Sequence, residues 1–590
     1  MSLPTVGTGC HTMAVTQSRP SLVRGAVVGA LIALGILVAW VLVTGLLGLR
    51  TAMQVQSQTQ ALTDQLSAGD SAAAEATLRE LQGSSASLSA TFGSAPWTQM
   101  ASLPLVGSSV QVFADIADGT AAVMAATEGQ EATITDTVAE LKDKGAAGVG
   151  ALEQLHPFTQ EAAAAIELPA QRVAAVSDDE IFAPLRPFTV ARKDQFLGIA
   201  EGVRAAEGAT VALPVLLGAQ GRRTWLVSVQ NAAEARGTGG LLSAYSIVDV
   251  VNGRLQPRDA DTTNDLFRQP PVSLAGIPRD TQQLWGADQL GRWWGFNLDR
   301  HFPYAGLLMH RGSPVPVDDV VTIDARVVAG LMSVTGPVTA AGVTVAPDEA
   351  AEFFTATIYK RFPDPERKDA VTVALINRML GQLADADLDP LALWEALAEP
   401  ASQGRLLTYS SDRAVQAALS RMPTGGVVPD EPGPWASAAI NDFGGSKLSA
   451  YLQVTSDFRS AAFCPDPGAA SMIRIEVSNE APADLPDYVD VRSDKPGLPT
   501  GTGTANVGVA VYAPWGSAFR SATVDGEAIT LRGGTDRSHP VWQTAMELGR
   551  GESKVLEVEF EEPRVGRQPI VFSAQPMVLD MITSTGEANC

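Results

Sequence analysis

A chain of 590 residues, 45% of them hydrophobic, is long enough for three or four domains and apolar enough to fill their cores, which excludes global disorder. A formal net charge of -23 argues against nucleic acid as a partner, because phosphate binding needs a basic surface. Five histidines, no two at i, i+4 spacing, and three cysteines with no C-x-x-C leave no metal site or thioredoxin-type site to assign.

Residues 1–24 read as a cytoplasmic tail and residues 25–49 as a transmembrane helix. The latter, GAVVGALIALGILVAWVLVTGLLGL, contain no charge, and about 20 apolar residues are enough to cross a bilayer core. A cleaved signal peptide has a shorter apolar core, roughly 7 to 15 residues, so the run reads as a permanent signal anchor. Arg19 and Arg24 precede it with no acid, and after Arg50 no Lys or Arg occurs until Arg79. This asymmetry predicts a plasma-membrane protein with a cytoplasmic amino terminus and the bulk of the chain outside.

Residues 50–206 predict an extracellular helical stalk. Leu62 and Leu66, Leu78 and Leu81, and Leu88 and Phe92 fall at helical spacing. Gly69 followed by Asp70 reads as a helix stop and a new N-cap. Residues 207–400 predict an α/β domain, because strand-like runs (TWLVSV, LLSAYSIVDVV, VDDVVTI) alternate with helical ones (ARVVAGLMSV, RKDAVTVALINRMLGQL). Asp324 is placed to cap the helix after VDDVVTI. Residues 401–590 carry short strands separated by Gly, Pro, Asn and Asp turns, which predicts an antiparallel β-sandwich. The fold class is therefore multi-domain: α, then α/β, then β, above one transmembrane helix. Cys464 and Cys590 share the last segment. They can form one disulfide if that segment is extracellular, or remain two thiols.

The stretch SVQNAAEARGTGGLLSAYSIVDVVNGRL, residues 228–255, places a polar glycine segment between two strand-like runs and ends on the turn Asn252-Gly253. Two readings compete. Gly239 and Gly240 permit close backbone approach to a ligand, with Asn231, Glu234 and Arg236 around it. Alternatively, Asn231 and Glu234 cap backbone groups, Arg236 pairs with a carboxylate, and the glycines stand where no side chain fits. Trp285, Trp293 and Trp294 form an aromatic cluster that either packs a core or stacks on sugar or lipid. No G-x-S-x-G elbow, P-loop or G-x-G-x-x-G fingerprint occurs.

QNAAEARGTGGLLSAYSIVDVVNGRL resembles the signature of the bacterial family called domain of unknown function 4012 (DUF4012), common in actinobacteria. LPVLLGAQGRRTWLVSVQN, FNLDRHFP, VVTIDARVVAGLMSVTGPVTAAGVTV, IYKRFPDPERKDAV and NDFGGSKLSAYL follow the same resemblance. It implies the same architecture of anchor, helical stalk and β tail, and no particular activity, since the family's is unknown. The leading reading of the chain is an anchored envelope protein with a binding or assembly role toward cell-wall glycopolymer or other envelope proteins, and no cofactor. The α/β part also resembles the LytR-CpsA-Psr phosphotransferases, anchored enzymes that attach lipid-linked glycopolymer to the cell wall. That resemblance implies a phosphate-binding set of Arg236, Arg279 with Asp280, Arg361 and Arg367; the sequence itself offers Arg292 and Arg300 as further guanidinium groups. Convergent guanidinium groups would neutralise phosphoryl charge, and Asp280, Asp299 or Asp324 would hold a divalent cation. The aspartate-rich metal loop of those enzymes is replaced here by AAEARGTGG. The two readings differ in whether the arginines meet in one pocket.

Overall fold

Gly69 adopts a φ of 78°, which only glycine reaches at little cost, and ends a helix, α1, over residues 50–68. Asp70 then starts α2 (Ser71–Phe92), its carboxylate accepting from Ala73 N at 3.1 Å. The two helices run antiparallel, with Gln58 Nε2 donating to Glu80 at 3.3 Å. A short turn, α3 (Trp97–Met100), leads to α4 (Gly107–Ala125), α5 (Glu131–Lys144), α6 (His156–Ala175) and α7 (Arg186–Leu216). Val112, Ile166, Val173 and Phe196 close a core between α4, α6 and α7. Gly119 permits that closure, since a Cβ there would lie 2.5 Å from the Phe196 ring. The structure, a computed structural model, describes residues 50–95, 97–386, 390–466, 468–566 and 568–589. The tail and anchor expected over 1–49, and Cys10 and Cys590, lie outside the described residues. Among these, no helix is long and apolar enough to cross a membrane.

α7 runs through the expected 206/207 boundary, because its helical apolar repeat continues to Leu216 before Gly218 ends it at φ 71°. The chain then enters a long hairpin, β1 (Arg223–Arg236) and β2 (Gly239–Val251). Asn252 and Gly253, at φ 47° and 73°, turn β2 back into β3 (Arg254–Pro257). After β4 (Asp261–Thr262) come α8 (Arg279–Trp285), α9 (Ala287–Leu290) and α10 (Phe302–Gly312). β5 (Asp319–Ile323) lies parallel to β1. Asp324 caps α11 (Ala325–Thr335) through Arg326 N and Val327 N. A small hairpin, β6 (Val338–Ala340) with β7 (Val343–Val345), precedes α12 (Ala350–Glu352), α13 (Ile358–Arg361), α14 (Pro365–Asp385) and α15 (Pro390–Ser402). β8 (Leu407–Ser410) then adds antiparallel to β5, so the sheet takes a strand from beyond residue 400. α16 (Arg413–Leu419) follows and packs on α7 through Val415, Ala418 and Leu419.

The sheet order is β3-β2-β1-β5-β8, with β4 on β2. Successive residues of a strand face opposite sides. Val227 and Ile323 pack with Val327 of α11 and Leu375 of α14. Leu226 and Val320 pack with Phe302 and Leu308 of α10. Helices therefore cover both faces.

The remaining strands are β9 (Trp435–Asp442), β10 (Leu452–Ser460), β11 (Ser471–Asn479), β12 (Ala505–Tyr512), β13 (Ala518–Val524) and β14 (Glu527–Ala528). They continue as β15 (Arg532–Asp536), β16 (His539–Leu548), β17 (Ser553–Glu561), β18 (Val571–Ser573) and β19 (Ile582–Glu587). They form two sheets, β14-β13-β17-β11-β10-β19 and β15-β16-β12-β9-β18. Alternation in β10 and β11 buries every second residue, and Trp542 meets Phe560 across the sheets at 5.7 Å. The sandwich is mostly antiparallel, not wholly so. β18 joins β9 and β19 joins β10 in parallel, because both return from the far end of the chain to the outer edges.

Candidate functional site

The segment expected as a loop at 230–240 is strand almost throughout. β1 and β2 pair up to Arg236 and Gly239, leaving only Gly237 and Thr238 as the connection. Register shifts at Val229/Gln230 and Asn231/Ala235 absorb the polar residues as bulges. Gly240 is required by packing, since a Cβ there would stand 2.1 Å from the Asn231 carbonyl carbon. Gly237 is pressed in the same way onto Leu298 O, at 2.3 Å. Gly239 has a φ of 139° and lies against the Gln230 amide.

The polar side chains of this hairpin end are buried, Asn231 partly so, and mutually bonded. Gln230 Oε1 accepts from Thr238 Oγ1 at 2.8 Å, Asn297 Nδ2 at 3.0 Å and Gly240 N at 3.3 Å. Asn231 Nδ2 donates to the Tyr359 hydroxyl at 2.8 Å and to Glu234 at 3.3 Å. Glu234 pairs with Lys447 at 2.6 Å. Lys447 also lies over the Tyr488 ring, 4.6 Å from its centroid. Arg236 donates to three carbonyl oxygens: Ala235 at 2.8 Å, Asp442 at 2.9 Å and Trp294 at 3.2 Å. Burial lowers its pKa, opposed by the charges of Asp442 and Glu234. Asp442 is pushed up to about 7 by burial, against the pull of Arg236 and Lys447. Its Oδ1 still accepts from Gly444 N at 2.9 Å and Gly445 N at 3.1 Å.

Two further buried connections join the α/β part to the sandwich. Arg300 donates to Gly237 O at 2.8 Å, Ala574 O at 2.9 Å and Ser437 Oγ at 3.1 Å. Asp299 accepts from Trp285 Nε1 and His301 N, both at 2.6 Å, and Thr281 donates to Asp536 at 2.7 Å. Burial, and for Asp536 the charge of Asp299, raises both carboxyl pKa values. At the carboxyl end of β5, Arg405 bridges Asp324 and Asp580, each at 2.7 Å.

Of the nine residues singled out, the fold gathers Asn231, Glu234, Arg236, Gly239 and Gly240 at one buried joint. Arg279 and Asp280 are exposed at the start of α8. Arg361 is exposed at the end of α13 and lies 5.6 Å from the Phe362 ring centroid. Arg367 is exposed in the first turn of α14, whose cap is Asp364. Arg292 pairs with Asp288 at 3.2 Å. Trp285 and Trp293 are buried, while Trp294 is partly exposed. The aspartates named for a cation are separately engaged or, for Asp280, exposed. Among the described residues, no group of three or more His, Cys, Asp or Glu is arranged to hold a metal.

A small cavity of about 50 Å³ beside the joint is lined by Asn231, Tyr359, Lys368 and Asp369, and by none of the arginines. A larger one, about 260 Å³, is lined by Thr238, Arg300, Gln403, Arg421 and Trp435. Sequence reading missed Asp442, Lys447, Asn297 and Tyr359. NDFGGSK held the available signal: an acid and a lysine flanking a glycine turn, five residues apart.

The model of the family described as "Protein of unknown function (DUF4012)" matches residues 220–359, which span the hairpin, β5, α11 and Tyr359. No curated protein matches the chain, and no solved structure does.

Proposed function

We propose that this is a single-pass membrane protein of the cell envelope, with its folded part outside the cell and a role in binding or assembly. Its counterpart would be cell-wall glycopolymer or another envelope protein. One observation carries this reading: Arg236, within the family-matched segment, is buried and turns Nε and Nη1 onto three protein carbonyls, one of them from β9. A guanidinium buried and bonded this way holds two structural units together and is not presented to a phosphate arriving from solvent. The uncharged run 25–49 supports the anchor.

The phosphotransferase alternative needs Arg236, Arg279, Arg361 and Arg367 around one phosphate. Burial of the first and exposure of the other three favour the binding reading. A titration decides between them. The full chain in detergent should bind no prenyl-pyrophosphate analogue at millimolar concentration. Binding that weakens in Arg236→Ala while the Tm holds would reverse the assignment.

A further inference from the structure

We infer that the end of the helical bundle nearest the anchor is itself a membrane-contacting surface, its apolar tip seated in the lipid interface beside the anchor. This rests on the anchored reading above. α1 leaves Arg50 and turns at Gly69, and α2 returns antiparallel to Phe92. The return covers about four more residues than the outgoing helix. At about 1.5 Å per residue, Phe92 therefore lies roughly 6 Å beyond Arg50, at the end where the chain enters α1.

Other elements converge on this end. α4 and α7 start here side by side, Phe113 meeting Phe188 at 5.8 Å. α6 ends here, with Arg172 of its last turns 3.6 Å from Asp115. The chain carries no charged residue from 81 to 114. Phe92 contacts both Trp97 and Phe113, at 5.2 and 6.2 Å, and so builds an aromatic platform.

From this platform Leu105 projects 81% exposed, Leu103 51% and Phe188 47%, with Leu185 alongside. The loop that carries the leucines is tied down. Leu103 N donates to Met100 O and Gly107 N to Leu103 O, each at 3.0 Å. Leu105 is held at a φ of 76°, unfavourable for a side chain with a Cβ. A bonded loop that holds leucines outward is poorly matched to water and well matched to acyl chains. Arg192, 5.3 Å from the Phe188 ring centroid, lies where a cation meets lipid phosphate. Three nearby acids are engaged, Asp178 with Lys193, Asp179 with Arg186, and Glu180 capping Ser177 N, while Asp194 is exposed on α7.

The test uses the full chain with Cys10→Ser, reconstituted in phosphatidylcholine vesicles and labelled with bimane under non-reducing conditions. Labels are placed at Leu105→Cys, and at Glu128→Cys beyond the opposite end of α4. Nitroxide-bearing lipid should quench the first label several-fold and leave the second unchanged. Leu103→Glu should relieve the quenching at 105 without moving the Tm. Equal, absent quenching at both sites overturns the proposal if alkaline carbonate leaves the chain in the membrane. If carbonate releases the chain, the anchor reading fails and takes this one with it. Disulfide-linked dimers of Leu105→Cys formed at high dilution would show a second copy on the tip and would also overturn it.

Discussion

At Arg236 a charge is buried because the backbone supplies its partners. Its three carbonyl acceptors belong to β1, the segment between α9 and α10, and β9. Removing it leaves those buried oxygens without their donors. Arg236→Ala should therefore cost about 3 to 5 kcal/mol, seen as a lower urea midpoint. Arg236→Lys should recover little, because one ammonium cannot reproduce the guanidinium fork. Asp442 makes a second, signed prediction. Its carboxyl titrates near 4 in an unfolded chain and at about 7 in the folded one. The native state holds the extra proton between those values, so this residue's contribution is full below about pH 4 and is lost as pH rises to about 7. Asp442→Asn keeps the Oδ1 acceptor for Gly444 and removes the charge. The difference in unfolding free energy between variant and wild type should grow in the variant's favour from pH 5 to 7. A flat difference would mean that Asp442 is ionised throughout.

At the scale of elements, glycine separates packing from propensity. Gly240→Ala should lose more than about 3 kcal/mol or fail to accumulate, because the clash is with backbone. Gly83, exposed within α2 with nothing within 4 Å of a Cβ, is the contrast. Gly83→Ala should raise the stalk's stability by about 0.5 to 1 kcal/mol, read by hydrogen exchange in α2. The difference also explains what was legible beforehand. The Gly69 stop, the Asp324 cap and the Asn252-Gly253 turn depend on residues a few positions apart, and all three are present. The hairpin through 230–240 was not legible. Gln230, Asn231, Glu234 and Arg236 read as a polar loop, a ligand site or a capped corner, because their partners Asp442 and Lys447 lie some 200 positions away. β8 was missed for the same reason: its partner β5 lies about 90 residues earlier.

For the whole molecule, the chain's far end returns to its own sandwich. β19 pairs with β10, and Ala588 N donates to Ser460 O at 2.8 Å, close in sequence to the disulfide-bonded Cys464. We expect Cys590 as the partner, contributing about 2 to 4 kcal/mol. Non-reducing peptide mapping should recover the 464–590 pair, and a free thiol at 590 would count against it. On the proposed anchored reading, protease added to intact protoplasts should remove everything beyond residues 25–49, and a protected fragment of the full folded part would invert the topology. α7 gives these parts a common mechanics. It begins beside the apolar tip, gives Phe196 to the bundle core, and reaches α16 through Glu207, which pairs with Arg421 at 3.2 Å. At its top, Leu216 O accepts from Trp225 of β1 at 3.1 Å. Its 31 residues make a rod of about 46 Å. A tilt of about 10° at the base would carry the top sideways by roughly 8 Å, together with the sheet fastened to it. On the anchored reading the helical bundle is thus a lever, not a tether: the head follows the inclination of its base.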